Sequence, residues 1–171
     1  MITLRDLAIT DLDTLASWRN DPDVSRYLAD RLKSPDEAEK WYNRLTANPG
    51  VWLKAILRDE LLVGYCTVEA IDKKNRKCEL ALVVGEKTAW GSGIGRTVLE
   101  DMLRYAFDEL NMHRVWAAVA RGNERSKRLL RRAGFIQEGI MREPLIIAGE
   151  YIDLLCYSLL EDEYEKRSDY R

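Results

Sequence analysis

Histidine is almost missing from this chain: His113 is the only one among 171 residues. A catalytic triad or a histidine metal centre therefore lacks its essential group, and His113 reads as a structural residue opening a strand. Cysteine is scarce as well. Cys66, Cys78 and Cys156 are odd in number, form no C-x-x-C pair and each lie in an apolar run. That points to buried free thiols in a reducing compartment, and away from disulfides or zinc; no metal is expected. No apolar stretch approaches the roughly 18 residues of a membrane span. The opening MITLRDLAITDLD lacks a basic segment followed by an apolar one, so no secretory signal or membrane partner is expected and the cytoplasm is the expected location. Neither sign of charge is in excess: 27 Lys and Arg stand against 29 Asp and Glu. Such a chain has no global field with which to gather nucleic acid or anionic lipid, so any anion-binding surface must be local.

What is present is the pattern of one α+β domain over 1–171, with a charged tail from about 161 to 171 expected to fray. Ile2 to Leu7 reads as a strand, and Asp11 to Arg19 as a helix capped by Thr10. Ser34-Pro35-Asp36-Glu37 starts a second helix, with Ser as N-cap, Pro at the first helical position and Glu three residues after the cap. Ala38, Trp41, Tyr42 and Leu45 then recur at helical spacing. From residue 51 the period changes to that of strands. VWLKAILR, LLVGYCTVEAI and CELALVV are joined by connections too short for crossovers, which predicts an antiparallel meander. A helix from about Ser92 to Leu110, the strand HRVWAAVA, a helix over 123–133 ended by Gly134, and two strands around an Ala148-Gly149 turn complete the order.

The segment AWGSGIGRT, with glycines at 91, 93 and 95, falls between a strand and a helix start. Free N–H groups and the helix dipole there make an anion site, and glycine lets a phosphate come close to the backbone. A Rossmann G-x-G-x-x-G would need glycine where Arg96 or Val98 stands, and no G-x-x-x-x-G-K phosphate loop occurs. What remains is a pyrophosphate cradle that follows a meander.

Trp90-Gly91-Ser92-Gly93-Ile94-Gly95, with N-x-x-S at Asn123 and Ser126 and A-G-F at 133–135, resembles the GNAT superfamily of acyl-CoA-dependent N-acyltransferases. The W-G-x-G form is similar to the branch of RimJ/RimL-type acetyltransferases; most relatives have Gln or Arg where Trp90 stands. The resemblance implies a GNAT fold, a mixed and mostly antiparallel central sheet flanked by helices. It also implies acetyl-CoA as co-substrate, its pyrophosphate held by Gly91, Ser92, Gly93, Ile94, Gly95 and Arg96. The strand before this loop is expected to splay from its neighbour, so that backbone groups of Val83 and Val84 meet the pantetheine arm and one N–H polarises the thioester carbonyl. Asn123 would cap a helix and also meet the arm. Of the six basic residues between Arg121 and Arg132, about half are expected to face coenzyme phosphates, Lys127 and Arg131 among them. A solvated helix face explains the others, and RNA or ribosomal contact is an alternative for the run.

Glu79 lies between apolar residues on CELALVV, eleven residues before Trp90. It is either a salt-bridged rim carboxylate or the general base that removes a proton from the attacking amine, and the resemblance implies the latter. Many relatives place a tyrosine seven residues after the Asn to protonate the departing thiolate; here that position is Leu130. Ser126, Tyr151 or solvent must then serve. The resemblance implies direct attack of a primary amine, without a covalent enzyme intermediate. The acceptor is expected to be a protein N-terminal α-amine, with a polyamine, amino sugar or antibiotic as the alternative. A polyamine calls for an acidic pocket, for which Asp36, Glu37 and Glu39 are the candidates. A CoA-binding sensor without turnover is a second class, and monomer and homodimer are both compatible with the sequence.

Overall fold

The computed structural model describes residues 1–29 and 31–168. The elements are β1 (Ile2–Asp6), α1 (Leu12–Asn20), α2 (Pro35–Thr46), β2 (Trp52–Arg58), β3 (Leu61–Asp72), β4 (Lys77–Val84), α3 (Ile94–Arg104), β5 (Arg114–Ala120), α4 (Glu124–Arg132), β6 (Ile136–Ile147), β7 (Glu150–Leu160) and α5 (Glu161–Ser168). The seven strands make one sheet in the order β1-β2-β3-β4-β5-β7-β6. All neighbours are antiparallel except β4 and β5, which run parallel. The architecture is the mixed α+β arrangement expected.

Alternation along the strands sorts side chains onto two faces. Cys66, Val68, Cys78, Leu80, Val115, Tyr157 and Leu159 pack on one face with Val98, Met102 and Leu103 of α3 and Leu130 of α4. Leu53, Ala55 and Tyr65 pack on the other with Leu15 and Trp18 of α1 and Trp41 and Leu45 of α2. Burying one such leucine is worth about 1.5–3 kcal/mol, so each face is a substantial share of the stability. Helices α1 and α2 cover the second face over β2 and β3, with Val83 of β4 packed at the margin of that cluster.

Three local details differ from the sequence reading. Thr10 does not cap α1; a 3-10 turn over Ile9–Asp11 precedes the helix. The Asp11 carboxylate accepts the Ala8 N–H at 2.8 Å and two bonds from the Arg5 guanidinium at 2.7 and 2.8 Å. Asp11 is the N-cap residue of α1 without a side-chain cap bond, its carboxylate being committed to Ala8 and Arg5, and the Arg5 pairing holds that carboxyl below the ordinary range. The helix expected from Ser92 starts at Ile94 and passes into a π turn at Tyr105–Glu109. The tail expected to fray is helical as far as Ser168: Tyr164 stacks on Phe107 at 4.5 Å and Arg167 pairs with Glu100 at 2.7 Å. Residues 169–171 lie outside the described residues.

Candidate active site

Gly91 and Gly93 have φ of +78° and +88°, the left-handed region that other residues enter at a cost of about 1–2 kcal/mol. A Cβ at either would meet nothing within 4 Å, so backbone shape, not crowding, requires glycine there. Both precede α3, whose N-cap is Gly93; only Gly95 lies in the helix. Arg96 and Thr97 donate their amides to the Gly93 carbonyl and Ser92 donates to Ala89. Among the described residues the amides of Gly91, Gly93, Ile94 and Gly95 have no acceptor. Four unmatched donors at a helix start fit a diphosphate.

The sheet opens beside this loop. β4 and β5 pair only at Lys77↔Arg114, Cys78↔Val115 and Glu79↔Trp116. Beyond Glu79 the facing edges of 80–84 and 117–120 have no strand partner among the described residues. The Gly85 amide donates to the Val63 carbonyl on β3, so by antiparallel alternation Val83 also turns its backbone to β3. Leu82 and Val84 are the residues that turn backbone groups into the gap, and the Val84 carbonyl already accepts the Trp90 indole N–H at 2.8 Å. Of the expected pair, Val84 borders the gap with its backbone and Val83 does not, because a strand offers only every second residue to each edge.

Glu79 therefore sits at the point of the fork. Its neighbours Cys78 and Leu80 are buried in the α3 core, which directs the Glu79 side chain to the opposite face. It is half-buried and stands directly across from Glu69 on β3. Burial pushes its carboxyl up to about 7, and the Glu69 charge adds to the rise.

The second arm of the fork leads into α4. Asn123 caps it, its Oδ1 accepting the Ser126 N–H at 3.1 Å. The Ser126 hydroxyl is half-buried and has no partner among the described residues. Leu130 is 5% exposed and belongs to the core, so this helix offers no acid at that position. Lys127 turns inward: its ammonium donates to the Arg121 carbonyl at 2.9 Å and pairs with Glu124, bracing the loop between β5 and α4 instead of facing a phosphate. Arg96 and Arg131 are exposed and carry no ion pair among the described residues.

Two residues close to the site were not singled out as ligands by the sequence reading. Arg125 lies with its guanidinium 4.4 Å from the Trp90 ring centroid, which brings a cation against the glycine loop. Trp90 thereby ties β4, the loop and α4 together, and this explains a tryptophan where an anion-binding side chain is usual. Tyr27 donates from its hydroxyl to the Gly122 carbonyl at 2.8 Å, while Lys87 pairs with Asp21 and Asp23 at 2.7 and 3.0 Å. The segment 21–27 is thus anchored both after β4 and after β5. The resemblance already implied that Trp18, Arg19, Asn20 and Tyr27 border the acceptor side; contacts between residues more than sixty positions apart supply the anchors. The tie predicts that Trp90→Phe, which loses the indole bond and weakens the cation–π contact, destabilises the chain by about 1–2 kcal/mol in denaturant titration. It also predicts weaker CoA binding by calorimetry; unchanged values in both would show that Trp90 is not a structural post.

Residues 1–136 match the family model of the Acetyltransferase (GNAT) domain. The putative ribosomal N-acetyltransferase YdaF of Bacillus subtilis is 36% identical over 110 residues, 64% of this chain and 60% of that protein. Spermidine N(1)-acetyltransferase of Vibrio cholerae is 28% identical over 171 residues, covering 98% of each. A crystal structure of spermidine N-acetyltransferase from Vibrio cholerae in complex with CoA and spermine superposes with a TM-score of 0.86 at 26% identity, over 96% of this chain and 98% of that one. With the unmatched donors at the glycine loop and this family match together, the chain belongs to the GNAT family and is an N-acetyltransferase that uses acetyl-CoA as co-substrate.

Proposed function

We propose that the acceptor is a protein N-terminal α-amine. The observation that carries this reading is the Glu79 carboxyl, raised to about 7 at the point of the fork. An α-ammonium has a pKa near 7.8, so transfer of its proton to such a base is uphill by only about 1 kcal/mol. For an alkyl ammonium near 10.4 the same transfer is uphill by about 4–5 kcal/mol. Glu79 is matched to the first task and poorly matched to the second.

Acetyl-CoA supplies an activated acyl carbon that an amine attacks directly. In this reading the amides of Gly91, Gly93, Ile94 and Gly95 hold its diphosphate, with Arg125, Arg96 and Arg131 as neighbouring cations. The Leu82 and Val84 edge orients the arm, and a backbone N–H on that edge meets the oxyanion as it develops. Glu79, directly or through a water, takes the amine proton. Ser126 relays a proton to the departing thiolate, since Leu130 cannot. Alignment of amine and thioester in the fork does much of the remaining work.

A polyamine acceptor is the second reading, favoured by the similarity to spermidine N(1)-acetyltransferase over 98% of each chain. A thiol-release screen of acetyl-CoA against N-terminal peptides, spermidine and amino sugars separates the two. The expected result is a kcat/KM for peptides about tenfold or more above that for spermidine near neutral pH; the reverse order would overturn the first reading. In the same assay Ser126→Ala is expected to lower kcat while leaving the KM for acetyl-CoA unchanged. A shift in KM and melting temperature with kcat intact would reduce Ser126 to a helix-cap residue.

A further inference from the structure

A cavity of about 700 Å³ lies between the α1–α2 connection, α2 and the β6–β7 turn, apart from the glycine loop. Leu32, Trp41 and Ile147 give it an apolar floor. Its rim carries Arg31, Lys33, Lys40 and Arg44, and among the described lining residues Glu37 is the one carboxylate. Of the three acids that the sequence offered for a polyamine pocket, Glu39 does not line the cavity and the other two are otherwise engaged. Asp36 pairs with Lys40 at 2.6 Å, and Glu37 accepts the Lys33 backbone N–H at 2.7 Å. Arg31, Lys33 and Arg44 have no ion pair among the described residues. A chain of net charge −2 has therefore gathered an excess of cations around one concavity.

The floor is tied to the reacting face of the sheet. Trp41 meets Tyr65 edge-on at 5.5 Å, and Tyr65 stands opposite Val83 on β4. Four residues further along β3, Glu69 stands opposite Glu79. At a strand rise of about 3.3 Å per residue the floor lies roughly 13 Å along the sheet from the Glu79 row. An extended peptide covers that distance in about four residues. We infer that the cavity receives carboxylate side chains of the acceptor, about four residues after the reacting amine, so that the enzyme selects acidic N-terminal segments and disfavours polycations. The inference deepens the α-amine reading and rests on it for the position of the amine.

The test uses peptides with identical first three residues and Glu, Ala or Lys at positions four to six, assayed by thiol release. The Glu peptide is expected to show a KM about tenfold below the Ala peptide and the Lys peptide about tenfold above it. The kcat should be common to all, and the spread should shrink in high salt. The surface double variant Lys33→Glu, Arg44→Glu is expected to reverse the order with an unchanged melting temperature. Equal KM values for the three peptides, or the same order in the variant, overturn the inference. An N-acetylated acidic hexapeptide, which cannot react, separates its failure from that of the α-amine reading. Calorimetric binding to the wild type that is lost in the double variant, without turnover of any peptide, leaves the cavity assignment standing and removes the acceptor. Turnover of all three peptides with no binding of the blocked one does the opposite.

Discussion

Glu79→Gln is expected to lower kcat/KM by about 10²–10⁴-fold while CoA affinity stays as in the wild type, because the change removes a proton acceptor and leaves the glycine loop alone. The pH profile gives the sharper result. Burial and Glu69 raise the Glu79 carboxyl to about 7, so wild-type activity should fall on the acid side as the base becomes protonated through that value. The variant should lose the limb at about 7 and keep only the one set by the acceptor amine itself, at about 7.8. Stability moves the other way. The folded chain keeps the Glu79 proton up to about 7, whereas the unfolded chain releases it near 4.5. Folding is therefore progressively disfavoured as pH rises between these values, and remains so above them. Glu79→Gln escapes that penalty and is expected to melt higher than the wild type at pH 8, but not at pH 4. An unchanged profile, or a variant less stable at pH 8, would make Glu79 a structural carboxylate.

Gly64→Ala is expected to damage both stability and coenzyme binding. A Cβ at Gly64 would stand 2.3 Å from the Val83 carbonyl oxygen and 3.1 Å from the Val84 Cα, both backbone atoms that no rotamer change can move. Either β3 and β4 separate or β4 shifts toward the gap. Overpacking of this sort costs typically about 1–3 kcal/mol and occasionally more. Because the displaced residues border the fork, CoA affinity should fall with stability. Gly139→Ala is the control, since its added carbon meets nothing within 4 Å and its φ is not left-handed. Denaturant titration and calorimetry on both variants decide the matter; a Gly64→Ala chain with the wild-type midpoint and affinity would show that β4 has slack there.

Much of this fold is legible in the amino-acid sequence, because its signals are local. The three-strand meander follows from alternation and short turns, α2 from the Ser34 cap and its apolar spacing, and the glycine loop from residues 91–95. Glu79 stood out because a carboxylate between apolar neighbours on a strand is conspicuous. What escaped depends on lateral contacts. A single strand does not announce where its partner leaves, so nothing in CELALVV says that pairing with β5 ends at Glu79, or that Leu82 and Val84 rather than Val83 face the gap. The run of basic residues after Arg121 looked uniform, yet Lys127 turns in to the loop while Arg125 lies on Trp90, a residue thirty-five positions earlier. The tail was expected to fray because charge dominates it; Tyr164 and Arg167, one turn apart, dock it on Phe107 and Glu100.

The parting of β4 from β5 puts an unfinished seam in the interior of the sheet, where most sheets have unmet backbone groups only at their margins. In the proposed mode the coenzyme arm lies along that seam as a foster strand. Occupancy then enters the folding equilibrium itself: free coenzyme at a hundred times its Kd adds about 2.7 kcal/mol to the stability of the chain. Supply of the acyl donor thus governs how long the catalyst survives as well as how fast it turns over.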